Sequence, residues 1–212
     1  MIEIDTIING NCLEVMKDIP DKGIDMILCD LPYGMTACEW DVRIPFEPLW
    51  SAYKRIIKDN GAIVLTGSQP FTSMLVMSNL EMFKYEIIAE KGRATGFLDA
   101  KRKPLKCHDN VLVFYKKQPI YNPQNTKSHN IDKTCTKTRN KQSTVYGKFG
   151  GNTYTDDGTR LPRSVIEFPS FANNIFVLDN VVHPTQKSVA LFEYIIKPYT
   201  NEGDLVLDNC LG

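Results

Sequence analysis

Ile24-Asp25-Met26-Ile27-Leu28-Cys29-Asp30-Leu31-Pro32-Tyr33 is the stretch that decides the fold. A short, nearly unbroken apolar run meets an acid, and a proline and an aromatic ring follow at once. Bounded in this way, the run reads as a buried strand. Its last residue then stands at the C-terminal edge of a sheet, where open α/β sheets bind ligands. Four residues gather a carboxylate (Asp30), a backbone carbonyl (Leu31) and a flat ring (Tyr33). That set suits a planar base with an exocyclic amine. The carboxylate and carbonyl accept the two N–H bonds, and the ring stacks on the base.

Upstream, Ile4-Asp5-Thr6-Ile7-Ile8 reads as a short strand closed by Asn9-Gly10-Asn11. Residues 12–19 read as a short helix with apolar side chains at 12, 13, 15, 16 and 19, stopped by Pro20. Downstream, the pattern predicts a helix over 48–58, with proline in its first turn and Asn60-Gly61 closing it. It predicts a buried strand over 62–66, a helix over 71–82, and strands over 85–89 and 111–115. Residues 116–162 are rich in Asn, Thr, Lys, Gln, Ser and Gly, with tyrosines at 121, 146 and 154, and hold no steady period. They read as an insertion. Structure resumes near 164–168, a helix follows over 188–199, and the strand Leu205-Val206-Leu207 delivers Asp208-Asn209-Cys210-Leu211-Gly212. Strands alternating with helices predict a doubly wound, mostly parallel α/β sheet.

The chain's 212 residues suit one sizeable α/β domain with an insertion. No apolar run approaches the roughly 18–20 residues that span a membrane. The acidic start Met1-Ile2-Glu3-Ile4-Asp5 does not resemble a signal peptide. The six cysteines are scattered without a Cys-x-x-Cys pair, so reduced thiols in a cytoplasmic protein are expected, and neither zinc nor a disulfide framework is. A net charge of zero hides a strong asymmetry. Residues 91–148 carry 14 Lys and Arg against three Asp, a net +11, and the rest of the chain carries 11 basic and 22 acidic side chains, a net −11. A basic middle on an acidic scaffold suggests a polyanionic partner.

Three motifs now stand in one order. Asp30-Leu31-Pro32-Tyr33 resembles the Asp-Pro-Pro-Tyr motif of amino-methylating DNA methyltransferases. His183-Pro184-Thr185-Gln186-Lys187-Ser188 is similar to that family's His-Pro-x-Gln-Lys segment, and Asp208-Asn209-Cys210-Leu211-Gly212 to the opening of its glycine-rich cofactor loop. Catalytic motif, recognition segment, then cofactor loop is the permuted β-type arrangement. The resemblance covers nearly the whole chain, and Gly34-Met35 and the run at 200–203 are similar to small phage- or prophage-type adenine enzymes.

The resemblance implies a Rossmann-like sheet, S-adenosylmethionine as cofactor, and methylation of the N6 amine of adenine or the N4 amine of cytosine in double-stranded DNA. The sulfonium supplies the activation, so no metal is expected. Asp30, Leu31, Pro32 and Tyr33 become the catalytic set. Asp30 and the Leu31 carbonyl bind the amine, and Tyr33 stacks on a flipped base. Asn11, Asp30, Thr185, Gln186, Lys187, Asp208 and Gly212 are expected at the cofactor. Lys101, Arg102, Lys103 and Lys106 are the candidates for phosphate contact, Tyr146 or Tyr154 for wedging or stacking during flipping, and Arg93 for DNA or the pocket edge. The chain divides into a catalytic part (1–115), a target-recognition insertion (116–162), and a return that starts the cofactor loop (163–212).

Leu31 replaces the family's first proline, and Asn209-Cys210 replaces Pro-Phe. Relatives continue past the position of Gly212 with more glycines, a helix and an acid for the ribose, so the fold is expected to be incomplete at the C-terminus. The leading Asp30 favours adenine, and cytosine N4 stays open. So do a non-catalytic DNA- or cofactor-binding remnant and a methyltransferase for RNA or protein glutamine. A homodimer and a restriction endonuclease partner are also left open.

Overall fold

Along β1 (Ile24–Cys29) successive side chains enter two different cores. Ile27 and Cys29 join one apolar cluster, and Met26 and Leu28 the other. This is the mark of a central strand covered on both faces. The computed structural model describes residues 3–127, 135–138, 142–143, 147–148, 153–167 and 187–211. After β1 come β2 (Ile57–Gly67), β3 (Phe83–Thr95) and β4 (Lys106–Phe114), six pieces of two to four residues, β5 to β10, between 126 and 160, then β11 (Val165–Glu167) and β12 (Val206–Leu207). The helices are α1 (Cys12–Val15), α2 (Phe46–Ile56), α3 (Phe71–Ser78) and α4 (Val189–Tyr199).

The main sheet has the order β11-β3-β4-β2-β1-β12. Five of its strands run one way, and β4 alone is reversed between β2 and β3. The reversal follows from the connection. Only residues 96–105 separate β3 from β4, too few for a helical crossover, so the pair closes as an antiparallel hairpin. On one face Leu49, Trp50, Tyr53 and Ile56 of α2 and Phe71 and Leu75 of α3 pack on Ile63, Leu65, Leu112 and Phe114. On the other, Leu191, Ile195 and Tyr199 of α4 pack on Ala62, Val64, Val111 and Val113. Among the described residues no helix is long and apolar enough to cross a membrane.

The chain forms two compact units, Met1–Asn122 with Ser164–Gly212, and Pro123–Arg163. The second contains the antiparallel pairs β5·β10, β6·β9 and β7·β8.

Four local expectations are corrected. Residues 4–8 form no strand: Ile4, Ile7 and Ile8 are exposed and bury no apolar face. The helix after Pro45 ends at Ile56, and β2 begins at once, so Asn60-Gly61 lies inside a strand rather than at a helix stop. Gly61 is there because the neighbouring backbone crowds it; a Cβ would stand 2.7 Å from the Asp25 carbonyl. The helix from Phe71 stops at Ser78, and 12–18 splits into one α turn and one 3-10 turn.

Candidate active site

Because β1, β2 and β12 are parallel, Asp30, Thr66 and Asp208 reach the same sheet edge. Leu31 is buried in the core and anchors the turn that presents Tyr33. The Tyr33 ring stacks on the buried Phe71 of α3, with centroids 4.9 Å apart. Its hydroxyl donates to Asp30 Oδ1 at 2.7 Å and lies 3.3 Å from Thr66 Oγ1. Thr66 is fully buried and donates to the same Asp30 oxygen. Lys187 Nζ sits 2.6 Å from the other oxygen, Oδ2, and 5.8 Å from the Tyr33 ring centroid. Burial, and then the Asp30 charge, push the Tyr33 phenol well above its ordinary range, so it remains a donor.

The turn beyond Tyr33 is fixed by one buried acid. Asp41 accepts from the N–H groups of Gly34, Met35 and Thr36 at 2.7 to 2.8 Å. Burial works against its charge, but those N–H bonds and the Thr36 hydroxyl outweigh it and hold the carboxyl at about 2. Gly34 turns the chain with φ +66°.

Beside Asp30 a second set of groups gathers. The Asn11 side chain accepts from the Leu13 N–H at 3.0 Å and caps α1. The adjacent Cys12 thiol is hydrogen-bonded to Cys210, which also bonds Cys29. Asp208 Oδ1 accepts from the Cys210 N–H at 2.9 Å, and Asn209 Oδ1 from the Tyr53 hydroxyl at 2.5 Å. Asp208 is raised above the usual carboxylate range, first by burial and also by the nearby Asp30 charge. The Cys12 thiol is raised by its bond to Cys210 and by burial, and Cys29 by burial, so both stay protonated. Among the described residues no group of three or more His, Cys, Asp and Glu could hold a metal ion.

Of the expected cofactor residues, the structure brings Asn11, Asp30, Lys187 and Asp208 together at this edge; Thr185, Gln186 and Gly212 lie outside the described residues, as does Tyr146. Lys101, Arg102 and Lys103 are exposed in the turn from β3 to β4, and Arg93 belongs to β3. Lys106 begins β4, bonds Ser68 Oγ at 2.6 Å, and shares the buried Asp109 with Lys91. Burial, helped by the charges of Lys91 and Lys187, pulls its ammonium below the ordinary range against the pull of Asp109. Thr66, Asp41 and Asp109 were not among the residues singled out by sequence. Only Thr66 carried a signal, as the polar end of a buried strand.

Residues 24–212 match the family model for N6/N4 DNA methylases. The chain belongs to that family. Among its relatives, DNA adenine methyltransferase YhdJ of Escherichia coli is 25% identical over 99% of this chain and 72% of its own length. Type II methyltransferase M1.MboII of Moraxella bovis is 25% identical over 100% of this chain and 85% of its own. The fold is also that of solved structures. The M1.HpyAVI–SAM complex aligns with TM-score 0.55 and 22% identity over 95% of this chain and 80% of that one. The cytosine-N4-specific PvuII DNA methyltransferase aligns with TM-score 0.58 and 12% identity over 94% and 71%.

Proposed function

We propose that this methylase transfers the methyl group of S-adenosylmethionine to the N6 amine of adenine in duplex DNA. The observation that carries the reading is the Asp30 corner. A carboxylate at the end of a central strand is oriented by Tyr33 and Thr66, at the sheet edge that also carries Asp208, with Asn11 capping the neighbouring α1. These residues fit the cofactor's chemistry. Carboxylates at 30 and 208 suit its cationic groups, and the Asn11 oxygen suits an adenine amine. Bound there, the cofactor supplies an electrophilic methyl on a sulfonium. Asp30 and the Leu31 carbonyl accept the two N–H groups of the target amine, and so turn its lone pair out of conjugation. Tyr33, braced from behind by Phe71, replaces the stacking lost on flipping, about 1–3 kcal/mol. Most of the rate then comes from placement and from preorganised acceptors. The acid that opens the tetrapeptide and the similarity to an enzyme named as an adenine methyltransferase support adenine.

The test incubates a duplex DNA library with S-adenosylmethionine and either this chain or the longest reading frame containing it, each beside Asp30→Ala. Digested nucleosides are then identified by mass. N6-methyladenine that disappears in the variant supports the reading. N4-methylcytosine would keep the mechanism and change the base, and no methylated base from either form would sink the reading.

A further inference from the structure

We infer that Lys187 is a resident counter-ion on the one Asp30 oxygen open to substrate, and that the target amine displaces it. The inference rests on the proposed function. Asp30 Oδ1 already accepts from Tyr33 at 2.7 Å and from Thr66. Two donors fill an oxygen with two lone pairs. An incoming N–H must therefore go to Oδ2, where the Lys187 ammonium at 2.6 Å already holds one of the two lone pairs.

The three partners differ in how readily they leave. Thr66 is fully buried on β2, and Tyr33 is stacked on Phe71. Lys187 ends a flexible four-carbon stem just before α4 and is 19% exposed. Charge points the same way. Nitrogen becomes positive as the N–C bond forms and the S–C bond breaks, the S–C pair leaving on the thioether sulfur and the surplus N–H proton then passing to water. An ammonium left on Oδ2 would stand beside that charge with the same sign. In the resting protein the ion pair serves the opposite need, because a half-buried carboxylate is costly to leave without a partner. Lys187 is thus a positioning residue that keeps Asp30 paired until the amine takes its place.

The test uses duplexes of the methylated sequence with either adenine or purine, which lacks the amine, at the target position (for cytosine, 2-pyrimidinone replaces it). Binding is measured with S-adenosylhomocysteine present. In Lys187→Met, preference for the amine-bearing duplex should rise about 2- to 10-fold, the range of one uncontested hydrogen bond. Any general loss of DNA attraction cancels in that ratio. Lys187→Arg should keep the wild-type ratio. In wild-type protein labelled with ¹⁵N-lysine, the Lys187 ammonium resonance should move on adding the adenine duplex and stay on adding the purine duplex. A ratio that is unchanged or lower in Lys187→Met, or an ammonium signal that responds equally to both duplexes, overturns the inference. A wild-type protein that neither methylates DNA nor prefers the amine overturns the proposed function instead.

Discussion

The Asp30 corner and the turn joining β3 to β4 stand on the same sheet edge and are built in opposite ways. At the corner, Asp30, Tyr33 and Thr66 hold one another, a lysine pairs with the other carboxylate oxygen, and Asp41 pins the following turn through three N–H groups. In the turn, Phe97 is 78% and Leu98 87% exposed, beside exposed Lys101, Arg102 and Lys103. Its order is local: the Arg102 and Lys103 N–H groups donate to the Asp99 carbonyl, and Lys103 pairs with the Asp99 carboxylate at 3.2 Å. The contrast separates two physical tasks. Methyl transfer needs atoms fixed to fractions of an ångström, which packing and buried hydrogen bonds supply. Attraction of a polyanion needs only accessible charge, which a solvated turn supplies.

Asp30→Ala should separate the two most sharply. It should lower kcat about 10²–10³-fold or more while DNA affinity and its salt dependence hold. Single-turnover methylation beside a binding titration checks this, and parallel losses in both would break the division of labour.

Asp41→Ala should act on stability. Three N–H groups lose a charged acceptor, which costs about 1–3 kcal/mol. The native carboxyl is held at about 2, below the ordinary value of about 4. A depressed native value means the stabilisation is complete above about pH 4 and is lost as pH falls from there toward 2. Urea unfolding of wild type and variant should show a constant gap from pH 7 to 5 that narrows below 4. A gap that widens on acidification would show that Asp41 acts by another route.

Thr66→Val keeps volume and removes one of the two donors to Asp30 Oδ1. The expected loss is about 5- to 10-fold in kcat with little change in KM, measured by steady-state methylation. Thr66→Ser should recover most of it, because the donor returns.

What the sequence disclosed at this corner was its local part. Asp30, Leu31 and Tyr33 adjoin one another and follow a run whose burial is evident, so their place at the sheet edge was readable. Thr66 and Lys187 bond Asp30 from 36 and 157 residues away, and chain separation hides such pairs. Asp41 offered no pattern, because an acid in a polar loop is usually solvated and only the fold of 34–36 makes it an acceptor of three bonds. The apolar parts of β1, β2 and β4 were legible as strands; the reversal of β4 lay in the shortness of the 96–105 connection, which the apolar pattern does not weigh. Gly61 was misread because glycine marks both helix stops and close backbone approach, and only its neighbours decide between them.

The smallest effect belongs to the turn. Lys101, Arg102 and Lys103 are exposed, and the Lys103–Asp99 pair at 3.2 Å is weak in solvent, so the ammonium can be shared with a phosphate. Changing all three to Gln should weaken duplex binding uniformly across sequences. It should also flatten the dependence of log affinity on log salt by about 0.9 for each phosphate contact removed. The kcat at saturating DNA should hold, since none of these groups touches Asp30. A changed salt slope with unchanged kcat would assign this turn to docking alone. A fall in kcat at saturation would mean that the turn also places the target base, and the separation between an exposed docking element and a buried chemical one would fail.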